Sequence, residues 1–178
     1  MDGSRKRVDT VSVVAGEPSS HTETLIREFR DGLRVARPGV KVRVDYSREL
    51  EDVTACETLA NRQIDDGSDV VVALAGHCSL GALAVARIRG VWGFGEQEDG
   101  VKLTDHLLWA TFKEWTPATE LAIESLRNGT LAMGRDTVLG LGEDYSVHFW
   151  FSNWIPKRVE SRLIEECSEI RAKRHTDA

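Results

Sequence analysis

Residues 69–75 read Asp-Val-Val-Val-Ala-Leu-Ala, and the tetrapeptide Gly76-His77-Cys78-Ser79 follows directly. A continuous run of β-branched and other apolar residues that stops at a glycine is typical of a central parallel strand covered on both faces. The apolar residues of segment 80–88 then recur at helical spacing. This stretch therefore predicts a strand, a tight turn and a helix in succession.

The same order of elements recurs on both sides of this stretch. We predict strands at Val8–Val14, Val40–Tyr46 and Val91–Gly95, and helices that run from about Ser20 to Ala36 and from Val53 to Ile64. The first helix has a capping-box pattern in Ser20 and Glu23 and is stopped by Pro38. Short strands that alternate with helices of this length predict an α/β fold, a Rossmann-like three-layer parallel sheet with right-handed crossovers.

The second part of the chain has a different rhythm. It predicts a strand at Leu107–Phe112, a helix at Pro117–Arg127 with Thr116 as its N-cap, an antiparallel hairpin of Val138–Leu141 with Ser146–Phe151, and a last helix at Val159–Ile170. We accordingly divide the chain into a tail (1–7), an α/β lobe (8–105), a packed-on C-terminal region (106–172) and a second tail (173–178).

Composition excludes several classes of protein. The 178 residues carry a net charge of −6, and the pI is near 5.4, which makes nucleic-acid binding an unfavoured expectation. No apolar run reaches the length of a membrane span, so we expect no membrane insertion and no export. The cysteines, Cys56, Cys78 and Cys167, are odd in number and lack metal-type spacing, which predicts no disulfide framework, no metal site and a reducing, cytoplasmic location. We expect no cofactor.

Candidate ligand residues follow from the sheet, because open α/β sheets bind ligands beyond the carboxyl ends of their strands. The turn Gly76–Ser79 joins a buried strand to a helix whose first N–H groups are free to meet a polar ligand. A plain strand-to-helix turn capped by Ser79 explains the same residues equally well. The neighbours His77 and Cys78 suggest a base and a nucleophile, but adjacent side chains diverge and catalysis there is a minor alternative.

Three further features of the sequence each have two interpretations. The loop Gly95–Asp99 concentrates hydrogen-bond acceptors that suit a sugar or an amine, and a solvated acidic loop accounts for it nearly as well. Lys113 ends a strand and offers a charge to a ligand, or belongs to an ordinary edge. The aromatic cluster Phe149–Phe151 with Trp154 favours core packing over a protein interface.

The order of these motifs resembles the basic membrane protein (BMP) family of type I periplasmic-binding-protein-like receptors, whose members include purine nucleoside receptors and a cytoplasmic regulator. The resemblance spans about Val8 to Lys173 and corresponds to the later part of that family's chain. The segments that carry it are 29–34, 59–71, 75–81 and 90–95, followed by 111–113, 140–142 and 155–160.

The resemblance implies one lobe of a two-lobed binding protein. It assigns ligand contacts to the turn Gly76–Leu80, to Gln97 and Asp99 in the acidic loop, and to Lys113. The chain departs from the family where His77, Cys78 and Ser79 replace a glycine-rich turn, where Gln97 replaces an acid, and where Leu50 stands in place of an aromatic residue. The first lobe is absent from this sequence, so the helix Pro117–Arg127 is expected to find its cover in a second copy or a protein partner.

We therefore interpret the chain as a cytoplasmic, non-enzymatic module that binds a small, nucleoside-like molecule or regulates another protein, working as a homodimer or with a partner. Its expected ligand-binding residues are Gly76, His77, Ser79, Gln97, Asp99 and Lys113. Two alternatives stay open: an enzyme for a small polar metabolite, using His77 or Cys78 with the carboxylates of residues 96–99, and an assembly subunit with a vestigial pocket.

Overall fold

A computed structural model describes residues 9–95, 106–113, 115–134 and 147–174. In chain order the elements are β1 (Thr10–Ala15), α1 (Ser20–Ala36), β2 (Lys41–Tyr46), α2 (Val53–Asp65), β3 (Val70–Leu74), a 3-10 turn (Gly76–Cys78), α3 (Ser79–Ile88), β4 (Trp92–Gly95), β5 (Leu107–Lys113), α4 (Trp115–Arg127), β6 (Val147–Phe151) and α5 (Lys157–Arg174). Among the described residues, no helix combines the length and the apolar character that a membrane crossing requires.

The strands form one sheet in the order β2-β1-β3-β4-β5-β6. β1 lies between β2 and β3. Its Val13 pairs in parallel with Val44 of β2 on one side and with Val72 of β3 on the other. The pairs of β3 with β4 and of β4 with β5 are also parallel. The predicted α/β fold with a mainly parallel sheet is confirmed.

Helices cover both faces of this sheet. On one face, Ile26, Phe29 and Leu33 of α1 pack on β1 and β3, and Phe94 of β4 joins the same cluster. On the other face, a Cβ added to Gly93 or Gly95 would lie 3.0 Å from a methyl group of Leu83 in α3. Since side chains alternate along a strand, Phe94 and its two glycine neighbours point to opposite layers. Helices therefore lie on both faces of the sheet, which confirms the predicted three-layer arrangement.

Helices α2 and α3 approach each other closely. A Cβ on Gly81 would lie 2.1 Å from the carbonyl oxygen of Val53, so a residue with a side chain does not fit at this position. On α2, Gln63 is buried, and its amide nitrogen donates to the Val13 carbonyl (3.1 Å) and to the Asp45 carboxylate (2.8 Å). A buried polar side chain is tolerated here because it ties α2 to both β1 and β2.

The chain divides within β5 into two compact units, residues 1–110 and 111–178. In the second unit, α4 has no buried residue. The rings of Phe149 and Phe151 on β6 stack with centroids 6.2 Å apart, and both side chains are half-buried, whereas Trp154 is 66% exposed. The aromatic cluster is therefore only partly packed.

The predicted N-caps of α1 and α4 are wrong. The N-cap of α1 is Ser19 rather than Ser20, and its hydroxyl accepts a hydrogen bond from the Thr22 N–H (3.2 Å). Helix α4 begins at Trp115, so Thr116 and Pro117 lie in its first turn. Proline is acceptable there because the first-turn N–H groups have no partner within the helix. The predicted strand Val138–Leu141 lies outside the described residues.

Candidate functional site

The carboxyl ends of β1 and β3 meet at one edge of the sheet. The N–H of Gly16, the first residue after β1, donates to the carbonyl of Leu74 at the end of β3 (3.0 Å). Gly76 has a φ of +58°, a conformation that residues with a Cβ rarely adopt. Both turns thus bring bare backbone to the edge where ligands bind in folds of this class.

The β2–α2 loop is fastened over the end of β1. The Ser47 N–H and hydroxyl both donate to the Ala15 carbonyl, at 2.8 and 3.1 Å, and the Arg48 N–H donates to the Gly16 carbonyl (3.1 Å). Arg48 is the non-glycine residue with positive φ in the described chain (+58°), and its side chain is exposed. These hydrogen bonds hold a strained residue at the candidate site.

Leu50 lies against the two glycine turns. A Cβ on Gly16 would come within 2.4 Å of a Leu50 methyl carbon, and one on Gly76 within 3.1 Å of the Leu50 carbonyl oxygen. That carbonyl accepts the N–H of Cys78 (2.8 Å). Leu50 remains 48% exposed. It forms an apolar surface between the turns, a role that its departure from the family pattern did not indicate.

The turn after β3 has one exposed and two buried side chains. Ser79 is 3% exposed, and its hydroxyl accepts the N–H of Ala75 (2.9 Å). This contact holds the turn together, but Ser79 is the first residue of α3 and Cys78 is its N-cap, so the predicted cap role of Ser79 is wrong. His77 is exposed beside it, so Gly76 and His77 are the parts of this turn that a ligand can reach.

Cys78 forms a disulfide with Cys56 of α2, which corrects the expectation that no disulfide is present. Both residues are fully buried. Counting cysteines could not reveal the pair, but topology could: Cys56 sits on the inner face of α2 near its start, and that end of the helix lies at the same sheet edge as the turn after β3. The bond fastens the candidate ligand turn to α2 and leaves Cys78 without a free thiol.

Tyr46, the last residue of β2, extends this edge toward α1. Its hydroxyl donates a hydrogen bond to the carboxylate of Glu23 in the first turn of α1. That hydrogen bond is the main cause of a raised pKa of the Tyr46 phenol, to which desolvation and the negative charge of Glu23 add. The contact holds the start of α1 near the end of β2.

The structure gathers only part of the predicted site. Gly76, His77 and Ser79 lie in one turn. Gln97 and Asp99 lie outside the described residues, and Lys113 is placed only as the last residue of β5. A groove of about 290 Å³ lined by Arg30, Leu33, Arg34, Val40 and Val42 contains none of the predicted residues. Within the described ranges, no group of three or more potential metal ligands comes together.

Comparison with known protein families shows which family the chain belongs to. The model of the Bmp family, ABC transporter substrate-binding proteins that are PnrA-like, matches residues 6–174. The chain belongs to the Bmp family. The resemblance to BMP-type receptors predicted from motif order is thereby confirmed.

Solved structures of similar fold include a solute-binding protein and a transcriptional activator. A solute-binding protein of an ABC transporter system from Conexibacter woesei aligns with a TM-score of 0.71 and 20% identity over 92% of this chain and 55% of its own. A transcriptional activator of the comK gene from Bacillus halodurans aligns with a TM-score of 0.75 and 20% identity, over 93% and 57%. The Bmp chain therefore spans little more than half the length of these proteins. No curated protein sequence matches it.

Proposed function

We propose that this Bmp-family chain is a non-enzymatic module that binds a small polar molecule of the nucleoside class at the carboxyl edge of its sheet and serves in sensing or regulation. The site is closed by a second copy of the chain or by another protein. Family membership supports a small-molecule ligand. A regulatory role draws support from the similar fold of the comK transcriptional activator.

The observation that carries this proposal is the junction of three turns at one edge. Gly16, Leu50 and Gly76 come together there, held by the hydrogen bonds of Ser47, Arg48 and Cys78. Gly76 is half-buried and keeps backbone groups within reach, whereas Gly16 is buried beneath Leu50, whose half-exposed side chain supplies an apolar neighbour. A small ligand with a flat apolar part and several hydroxyl groups suits this combination.

The six predicted residues divide by what they offer. Gly76 and His77 contribute an accessible backbone and an imidazole, and the buried Ser79 supports the turn from beneath. Gln97, Asp99 and Lys113 stay predicted contacts, with hydrogen bonds to sugar hydroxyls and a positive charge as their roles.

An assembly subunit with a vestigial pocket is the second candidate. The packing of Leu50 over Gly16 favours it, because the space above that turn already holds a side chain. An enzyme is less supported, since Cys78 is bonded to Cys56 and offers no thiolate nucleophile.

The cytoplasmic location stays a prediction, and the disulfide weighs against it. Disulfides persist chiefly in oxidising compartments. Labelling of free thiols in protein taken directly from cells would report the pairing: one reactive cysteine per denatured chain supports an oxidising location, and three support the cytoplasm.

A thermal-shift screen tests ligand binding. Inosine, adenosine and ribose are added to the whole chain at millimolar concentration; a ligand at 100 times its dissociation constant adds about 2.7 kcal/mol, or roughly 5–10 °C for a chain of this size. His77→Ala is expected to reduce the shift, while Lys41→Ala, at the opposite edge, leaves it unchanged. No shift with any probe would favour the vestigial-pocket alternative, and equal shifts in both variants would show that His77 does not contact the ligand.

A further inference from the structure

Strand β2 forms one edge of the sheet, and its outer side is open. Among the described strands, only β1 pairs with it. The N–H groups of Lys41 and Ser47 donate to backbone carbonyls of β1 and of the residue before it, at 3.0 and 2.8 Å. Since the backbone groups of successive residues in a strand point to opposite sides, the odd-numbered residues of β2 bond β1. The N–H and carbonyl groups of Val42, Val44 and Tyr46 therefore face the open edge.

The side chains of β2 alternate between the two faces of the sheet. Val42, Val44 and Tyr46 pack against the apolar cluster that α1 covers. Arg43 and Asp45 point to the other face, where an aspartate and an arginine at the end of α2 pair with them, at 3.2 and 2.7 Å. Both side chains stay partly exposed. The edge strand thus carries one positive and one negative charge, two residues apart, on its α2 face.

These charges select one way for a second β2 to pair with the first. We consider antiparallel pairs about a two-fold axis perpendicular to the sheet. An axis at Arg43 sets two arginines opposite each other, and an axis at Asp45 sets two aspartates opposite each other. An axis at Val44 sets Arg43 of each copy against Asp45 of the other. Directly opposite side chains in such a pair have Cβ atoms about 5 Å apart, so the opposite charges stabilise the pairing.

The same register satisfies the open backbone groups. Val44 faces Val44 of the second copy, and Val42 faces Tyr46 of the second copy. Because the backbone groups of these residues all point outward, each N–H meets the carbonyl of the residue opposite, as in the hydrogen-bonded pairs of an antiparallel ladder. The two-fold axis makes the contact self-complementary, since each copy offers the same strand in the same register.

The groove beside β2 suits the same partner. It has a volume of about 290 Å³ and is lined by the apolar Leu33, Val40 and Val42 and by Arg30 and Arg34. With the axis at Val44, the Tyr46 ring of the second copy lies next to Val42, at this groove. Its hydroxyl donates to Glu23 of its own chain, so that carboxylate comes to the same side of the sheet as the two arginines. Apolar and charged groups are therefore complementary on the α1 face as well.

We propose that the open edge of β2 is a homodimer contact, in which the β2 strands of two copies pair antiparallel about Val44 and join their sheets into one. Antiparallel strands place the two carboxyl edges on opposite sides of the joined sheet, so the contact leaves both candidate ligand sites uncovered. The dimer therefore goes beyond the proposed function and does not depend on ligand binding. Closure of the ligand site needs a different contact.

Charge reversal on the whole chain tests the contact by sedimentation equilibrium from submicromolar to several hundred micromolar protein. The unchanged chain is expected to dimerise with rising concentration. Arg43→Glu sets glutamates against aspartates, and Asp45→Arg sets arginines against arginines, so each variant should weaken its own dimer about tenfold or more. An equimolar mixture of the two variants restores both opposite-charge pairs and should form a heterodimer.

Hydrogen exchange of single amides, followed by NMR, tests the register of the pairing. In the unchanged chain at several hundred micromolar, the outward amides of Val42, Val44 and Tyr46 should exchange slowly, because the second copy bonds them. In the Arg43→Glu variant at the same concentration they should exchange faster. The amide of Asp45 points to β1 and should be protected in both, which makes it the internal control.

Arg87→Glu is the matched control variant. It makes the same charge change on an exposed side chain of α3, a helix that packs on β3 and β4, and should leave association unchanged. Far-ultraviolet circular dichroism shows whether each variant is folded; if Asp45→Arg does not fold, Arg43→Glu and the hydrogen exchange carry the test. A monomer at all concentrations, an Arg43→Glu variant that dimerises like the unchanged chain, or outward amides that exchange rapidly in the dimer would each overturn the proposal.

Discussion

The two compact units of the chain differ in where their apolar side chains lie. In residues 1–110, valines of β1 and β3 such as Val13 and Val72 are at most 1% exposed, with helices on both faces of the strands. In residues 111–178, α4 has no buried residue and Trp154 is 66% exposed. The first unit completes its own core. The second unit leaves large apolar side chains exposed. In the proposed function these side chains serve association with another chain and add little to the stability of this one.

Two isoleucines on helices give the largest expected contrast. Ile26→Ala in α1 removes a side chain that is 1% exposed and should lower the free energy of unfolding by about 2–5 kcal/mol. Ile123→Ala in α4, at a side chain 52% exposed, should change it by no more than about 0.5 kcal/mol. Urea unfolding at submicromolar protein measures both. Similar losses would mean that the two units are packed alike.

Removal of the disulfide tests how much this bond stabilises the first unit. Cys56 and Cys78 are 22 residues apart, a separation for which the loop-entropy model gives about 3 kcal/mol of stabilisation. The double variant Cys56→Ala/Cys78→Ala should lose at least this amount in chemical unfolding. Cys167→Ala, at the free cysteine of α5, is the matched control and should unfold almost as the unchanged chain does. A double variant as stable as the control would contradict the pairing.

The smallest effect concerns Tyr46 and Glu23. Because hydrogen bonding to Glu23 raises the folded pKa of the Tyr46 phenol, the contact contributes its stability fully below the unfolded pKa of about 10 and loses it as pH rises through the folded value. The sequence has two tyrosines, so Tyr145→Phe isolates Tyr46 for titration by tyrosinate absorbance. The midpoint should exceed 10, and adding Glu23→Gln should lower it. A titration midpoint of Tyr46 that stays the same in the Glu23→Gln variant would contradict the hydrogen bond between these two residues.

Much of the first unit could be predicted from sequence because its signals are local. The β-branched run in β3, the apolar spacing of the helices and the glycine turns all follow from preferences over a few residues. The N-cap of α1 lies one residue before the predicted one, since Ser19 and Ser20 are equally good caps in sequence and only the geometry of Thr22 selects between them.

Contacts between distant segments follow from the topology of the sheet and not from local sequence patterns. The Cys56–Cys78 bond depends on two elements meeting at one sheet edge, and the role of Leu50 depends on its carbonyl reaching Cys78 from another loop. Of the predicted site residues, Gly76 and His77 lie in the turn after β3, and their contact with a ligand stays a prediction. Ser79 is buried, and its hydroxyl accepts the Ala75 N–H, a contact within the turn that local sequence patterns do not indicate.

The most direct test of the account is an amide NMR titration of the isotope-labelled chain with inosine, adenosine or ribose. If the carboxyl edge is the binding site, the signals that move will belong to Gly16, Leu50, Gly76 and His77, while those of Gly39, Gly67 and Gly90 at the amino edge stay in place. Shifts confined to the amino edge, or none with any of the three compounds, would contradict it.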